Sequence, residues 1–242
     1  MTRLFVPEDL KREIVEITNI ADLNYLANVM RKKISDVIHV FNSQDGEYLA
    51  EITNITKKKI ILNIKNKTKD PIKEKNIINL IFAPIKHPRM TFLIEKATEL
   101  GVTNFIPIQT KHSVVDKLNL EKINIHIKEA AEQCERISLP SISPLITLNQ
   151  LLITWPKEKN IILCNEKEKE LSLLSYLQQI KSPQESISIM IGPEGGFSLQ
   201  ELNSLKEKPY IASVHLGSRV LRAETASLYS LSVTQSYLDN FN

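Results

Sequence analysis

Glycine is scarce in this chain, at six of 242 residues, and three of the six, Gly192, Gly195 and Gly196, fall inside the single stretch IGPEGGFSLQEL at 191–202. Cysteine is scarcer still: Cys134 and Cys164 show neither C-x-x-C nor zinc-type spacing, which argues against a redox motif or a disulfide framework and leaves two small buried apolar residues. The histidines form no cluster with Cys, Asp or Glu at ligand spacing, so no metal is expected. No apolar run approaches the ~18–20 residues that span a bilayer. The N-terminal MTRLFVPEDLKRE carries charge where a signal peptide has its apolar region, so the sequence predicts a cytoplasmic protein without a membrane partner. Net charge is small as well: 31 Lys+Arg against 28 Asp+Glu is too slight an excess to identify a nucleic-acid binder by its sum.

What is present supports a substantial core, with 42% hydrophobic residues over a length that fits one or two domains. Positive charge is concentrated in the first 75 residues, in RKK, KKK and KNKTKDPIKEK. Such a run reads either as a face for RNA or DNA, or as lysines that keep strand edges soluble. DVIHVFNSQDGEYLAEITNI alternates around Asp45-Gly46, a hairpin signal, and KKIILNIKN adds a strand. One short helix, NIADLNYLANVMR, places Ile20, Leu23, Ala27 and Met30 on one face. The spacing predicts a small β-rich module over 1–71, ended by a linker within KNKTKDPIKEKN.

From 75 to 242 strands alternate with helices. NIINLIFAPI, PRMTFLIEKATEL and NFIPIQ form one βαβ unit, with Met90, Leu93, Ile94 and Ala97 on the buried helix face and Gly101 as a left-handed stop. Helices over 120–137, 171–180 and 224–240, strands at NIILCNE, SISIMI and IASVHLG, and a helix after IGPEGGF complete an α/β pattern with a mostly parallel sheet.

The glycine-rich stretch therefore sits at the carboxyl end of a parallel strand, where ligands of open α/β sheets bind. Ser198 and Glu201 form an S-x-x-E capping box and Phe197 and Leu202 a hydrophobic staple, so the helix starts at Ser198 and the glycines lie in the turn. Walker A fails because Phe197 stands where lysine should be, and G-x-G-x-x-G and G-x-S-x-G are absent. An acidic turn with Glu194 suits a neutral or cationic ligand better than a polyphosphate. A second such turn, HLGSRVLRAETASL at 215–228, crowds Arg219, Arg222 and Glu224 around Gly217 and a helix start. Arginine there opposes the helix dipole, so a specific partner is expected: a ligand, or an ion pair with Glu224 or with another subunit.

Together, IGPEGGFS and LGSRVLRAETA are similar to the paired C-terminal signatures of SPOUT-class RNA methyltransferases, and specifically of the RsmE family of 16S rRNA uridine-N3 methyltransferases. EKATELGVTNFIPIQT at 95–110, EAAEQCER at 129–136 and VMRKKISDVIHVFNSQDGEYLAEI agree in order and spacing, so the resemblance covers nearly the whole chain. It implies an N-terminal PUA-like β-barrel that binds RNA and a C-terminal SPOUT α/β domain with a trefoil knot. It further implies a homodimer, S-adenosyl-L-methionine as cofactor, and 16S rRNA of the small ribosomal subunit as partner. The cofactor loops carried onto this chain bring in Leu163, Met190, Gly192, Glu194, Gly196, Leu216 and Leu221. Arg222 is the expected catalytic cation at the uracil, Glu194 or Glu224 the expected proton acceptor, with steadying of the sulfonium as the other role for Glu194, and Arg3, Arg31 and Arg136 the expected RNA contacts. Two positions depart from the family pattern: His112 stands where arginine is usual, and Asn28 where histidine is common. A methyltransferase acting on another RNA position and a non-catalytic ribosome-assembly protein are the alternatives.

Overall fold

The computed structural model describes residues 2–72, 75–180 and 186–240. The chain forms two compact units: Met1–Lys73 with Ala131–Leu139, and Glu74–Ala130 with Pro140–Asn242. Nothing in the sequence pattern marks 131–139 as part of the first unit.

The first unit contains β1 (Arg3–Phe5), β2 (Ile14–Ile17), α1 (Ile20–Asn24), β3 (Val37–Asn42), β4 (Gly46–Ile55) and β5 (Ile60–Lys69). Its five strands lie in the order β1-β3-β4-β5-β2, antiparallel except for the β1/β3 pair. The hairpin forms at Asp45-Gly46. Gly46 takes φ +94°, and a Cβ there would lie 2.2 Å from the Lys69 carbonyl oxygen, so the turn needs glycine for both conformation and space. β5 continues through Lys65–Lys69, where the linker was expected to begin: the Thr68 hydroxyl donates to a Glu47 carboxylate oxygen at 2.9 Å, which holds this polar stretch on the sheet. Residues 73 and 74 of the expected linker lie outside the described residues.

α1 is capped by Asn19, whose Oδ1 accepts from the Ala21 and Asp22 N–H groups. It then widens into a π turn over Tyr25–Val29, closed by Met30 N–H donating to the Tyr25 carbonyl at 2.8 Å. That extra residue turns the helix face. Leu23 and Leu26 enter the core with Leu4, Ile38, Val40 and Leu62, while Ile20 and Met30, expected to point inward, are exposed.

The second unit runs β6 (Ile77–Phe82), α2 (Arg89–Glu99), β7 (Asn104–Gln109), α3 (Leu120–Gln133), β8 (Ser141–Ile142), β9 (Ile146–Thr147), α4 (Leu148–Thr154), β10 (Ile161–Cys164), α5 (Leu173–Gln179), β11 (Ser186–Ile191), α6 (Leu199–Lys206), β12 (Ile211–Val214) and α7 (Ala223–Asp239). The last residues of α3 belong to the first unit. The sheet is parallel, ordered β12-β10-β11-β6-β7-β8, with β9 beside β7. Its central strands are near-continuous apolar runs because both faces are covered. One polar line crosses it. Asn79 donates to Ser188 (2.9 Å), Asn104 to Asn79 (2.8 Å) and Ser141 to Asn104 (2.7 Å), so two amides and two hydroxyls on four neighbouring strands satisfy one another in series, from buried Ser188 out to exposed Ser141. Helix α2 buries Met90, Leu93, Ile94 and Ala97, and Gly101 takes φ +85° at its end, both as the sequence implies.

Candidate active site

Strand order decides where the site forms. The connection from β11 through α6 passes over β10 to reach β12, so the segments after β12, β10, β11 and β6 emerge side by side at one end of the sheet. His215, just after β12, exchanges backbone hydrogen bonds with Leu171 and Leu173, which ties the last segment to the one following β10. Between these segments lies a cavity of about 680 Å³. Both glycine turns line it, together with Arg89 and the stretch Cys164–Lys167.

Each glycine has its own physical reason. A Cβ on Gly192 would lie 2.7 Å from the Phe197 ring, which packs against the core beneath the sheet. One on Gly195 would approach the Cβ of His112 to 3.2 Å. Gly196 and Gly217 take φ +68° and +115°, and apart from their chain neighbours no atom of the described residues lies within 4 Å of their Cβ positions, so a ligand can reach the backbone there. The capping box holds the next element: Glu201 N–H donates to Ser198 Oγ (3.3 Å) and Ser198 N–H to the Glu201 carboxylate (2.8 Å). His112 braces the turn from outside. Its Nδ1–H donates to the carbonyls of Gly196 (2.9 Å) and Gly195 (3.2 Å). The second turn is braced by His215, whose Nδ1 accepts from Gly217 N–H at 3.1 Å.

The charged walls are Arg89, Lys167, Arg219 and Arg222 against Glu166 and Glu194, four cations to two carboxylates. Arg89 Nη2 is ion-paired with Glu194, and its Nη1 lies 3.6 Å from the Glu224 carboxylate, which is nine-tenths buried. The partner of Glu224 is therefore Arg89, not Arg222. Arg222 is the exposed N-cap residue of α7, its side chain makes no capping hydrogen bond, and no ion pair holds it among the described residues. It is thus available to a substrate. Cys134, expected to be buried, is exposed; Cys164 reaches the cavity, and burial pushes its thiol up to about 12, so it stays protonated near neutral pH.

Comparison with known proteins agrees with this geometry. Residues 73–235 match the RNA methyltransferase domain family, and residues 17–65 the RNA methyltransferase PUA domain. Ribosomal RNA small subunit methyltransferase E of Rickettsia conorii is 35% identical over 218 residues, covering 90% of this chain and 87% of that one. The chain belongs to the ribosomal RNA small subunit methyltransferase E family. The Bacillus subtilis member is 32% identical over 96% of this chain and 95% of its own. A solved structure of the Neisseria gonorrhoeae member, bound to S-adenosyl methionine, superposes with a TM-score of 0.83 at 28% identity, covering 98% of this chain and 97% of that one. The fold is thus that of the E-family methyltransferases, a PUA domain followed by an α/β RNA methyltransferase domain.

Within this E-family chain, Gly192, Glu194, Gly196, Leu216, Leu221 and Arg222 are brought together on the cavity wall. Leu163 and Met190 are not on it. Both are fully buried in β10 and β11, one residue short of the strand ends, and the neighbouring Cys164 and Ile191 reach the cavity instead. Arg3 also differs from expectation. Its guanidinium is enclosed, donating to Glu47 (2.6 Å) and to the Ala131 carbonyl (3.0 Å) and stacking on Phe41, so it is a structural ion pair and not a surface for phosphate. Arg31 is exposed with φ +51°, and Arg136 is half-buried with Nε donating to Ser138. Asn28 bonds Asn24 on an exposed face. Sequence reasoning passed over Arg89, although its signal was the one that singled out Arg222: a cation at a helix start after a parallel strand, against the dipole.

Proposed function

We propose that this protein transfers a methyl group from S-adenosylmethionine to N3 of a uridine in 16S rRNA of the small ribosomal subunit. It would act in the cytoplasm as a homodimer, with the first unit holding RNA and the second carrying a trefoil knot around the cofactor site. The observation that carries this reading is the convergence of two separate glycine turns on one cavity whose wall also presents Arg222, which has no ion pair among the described residues. The passage of the β11–β12 connection over β10, and the pairing of His215 with the segment 171–173, support the knot. Exposed Val220, on the cavity wall, and exposed Tyr229, on α7, fit a face covered by a second copy.

The residues present fit the cofactor. Backbone at Gly196 and Gly217 is open to close approach, and two acidic side chains on the wall suit its cationic centre. Bound there, S-adenosylmethionine would supply an already activated methyl group, so the protein's tasks are positioning and charge. Gly192, Glu194, Gly196, Leu216 and Leu221 hold and orient it, largely through backbone groups. Arg222 faces the acceptor: its planar fork stabilises negative charge developing on the uracil carbonyls as the N3 proton passes to solvent water. Glu194 is engaged by Arg89, which supports its role as the fixed negative charge near the donor over the role of proton acceptor. The excess of cations on the wall, with Arg219 and Lys167, favours an anionic acceptor strand. Arg31 and Arg136 remain the RNA contacts of the first unit.

The test pairs binding with turnover. Arg222→Ala is expected to bind S-adenosylmethionine within about threefold of wild type by calorimetry. Methyl transfer to small subunits lacking the modification should fall by at least about a hundredfold, as for loss of one charge-stabilising donor. Loss of cofactor binding in parallel with turnover would place Arg222 at the cofactor instead.

A further inference from the structure

We infer that Arg89 is a specificity-determining residue: through its ion pairs with Glu194 and Glu224 it sets how strongly the cavity prefers a cationic ligand, the methyl donor, over its neutral product S-adenosylhomocysteine. The inference rests on the methyltransferase reading and goes beyond it, because it concerns which sulfur ligand the free enzyme retains.

The placement of Arg89 is unusual for its element. It is the first residue of α2, whose first turn contains no acidic side chain to offset it, and a cation at that end opposes the helix dipole. Carboxylates from two other elements hold it there: Glu194 in the first glycine turn and Glu224 in the first turn of α7. Glu224 Oε2 is buried without a hydrogen-bond partner, so its ion pair with Arg89 is what compensates it among the described residues. One guanidinium thus links α2, the glycine turn and α7, and a planar fork can meet two carboxylates where an ammonium meets one.

The electrostatic consequence is direct. The donor and its product have nearly the same shape and differ at sulfur, which is positive in one and neutral in the other. Glu194 is one of two carboxylates on a wall with four cations, and Arg89 offsets much of its field. Removing the Arg89 charge makes the cavity more negative and strengthens the cationic ligand relative to the neutral one. Removing the Glu194 charge does the reverse. A unit charge at cavity distance in a partly solvated wall is worth roughly five- to tenfold in that ratio.

Titration calorimetry of S-adenosylmethionine and S-adenosylhomocysteine against wild type, Arg89→Met, Arg89→Lys, Glu194→Gln and the Arg89→Met/Glu194→Gln double variant tests this without a methyl-transfer assay. The expected preference for the cationic ligand rises roughly fivefold or more in Arg89→Met, falls by a similar factor in Glu194→Gln, and returns near the wild-type ratio in the double variant. Arg89→Lys keeps the ratio, since it keeps the charge; if Arg89→Met unfolds around the uncompensated Glu224, the fall in the ratio of Glu194→Gln carries the test, and an unchanged ratio there overturns the inference. A role confined to cavity shape changes both affinities together. Constant ratios across Arg89→Met and Glu194→Gln would overturn the inference while leaving the methyltransferase reading intact. Failure of wild type to bind either compound would overturn both.

Discussion

At the scale of single residues, the enclosed ion pair of Arg3 and Glu47 shows how a charge that reads as a surface contact can be structural. The sequence RLFVPE shows no sign that Arg3 meets Glu47, 44 residues away, or the carbonyl of Ala131, because such pairings depend on strand order and on a distant segment. Burial alone would push the Glu47 carboxyl up. Hydrogen bonds from Arg3 and Thr68, with the charges of Arg3 and Lys69, outweigh it and hold the group below its usual range. A carboxylate depressed in the folded state contributes stability that is fully present above its unfolded value and is lost as pH falls through its folded one. Glu47→Gln should therefore destabilise the protein by about 3–5 kcal/mol at pH 7, because Arg3 is left buried without its counter-charge. Urea denaturation should also show that the variant loses less stability than wild type between pH 7 and pH 3. Equal losses in the two would show that Glu47 is not the group whose protonation matters. The glycines were the legible part of the site, since their crowding in a glycine-poor chain has few explanations. Arg89 was not, because its meaning lies in partners more than a hundred residues away.

At the scale of elements, legibility followed length and chemistry. The strands 104–109 and 186–191 and the helix over α2 form where alternation and a 3.6 period placed them. The two-residue strands β8 and β9 are too short to carry a period, and α4 was missed even though Thr147 and Gln150 form a complete capping box. The reverse error occurred at Lys65–Lys69, where charge resembled a linker but the backbone pairs with β4. Capping at α6 was readable from S-x-x-E, and its removal is a clean test of how the turn is held. Ser198→Ala should cost about 1 kcal/mol of stability. It should weaken S-adenosylmethionine binding by several-fold, because the same cap fixes the end of the glycine turn. Unchanged affinity alongside reduced thermal stability would show that the turn is held by His112 and Phe197 alone.

At the scale of the whole molecule, a net charge of +3 conceals a division of labour. Lysines crowd the first 75 residues, while the three arginines of the second unit, Arg89, Arg219 and Arg222, all stand on the wall of one cavity. The α/β class and the presence of two modules were readable from the change of pattern near residue 75. The contribution of 131–139 to the first unit was not, because contact between segments far apart in sequence leaves no local signature. The proposed chemistry is that a cationic cavity at the ends of four parallel strands places a methyl group on the uridine base nitrogen. The most direct measurement is mass mapping of 16S rRNA after incubating the protein and S-adenosylmethionine with small subunits that lack the modification. The account predicts one new methyl group, on N3 of a single uridine, in wild type and its near-absence in Arg222→Ala. A methyl group on a ribose oxygen or on another base, or none at all, would contradict it.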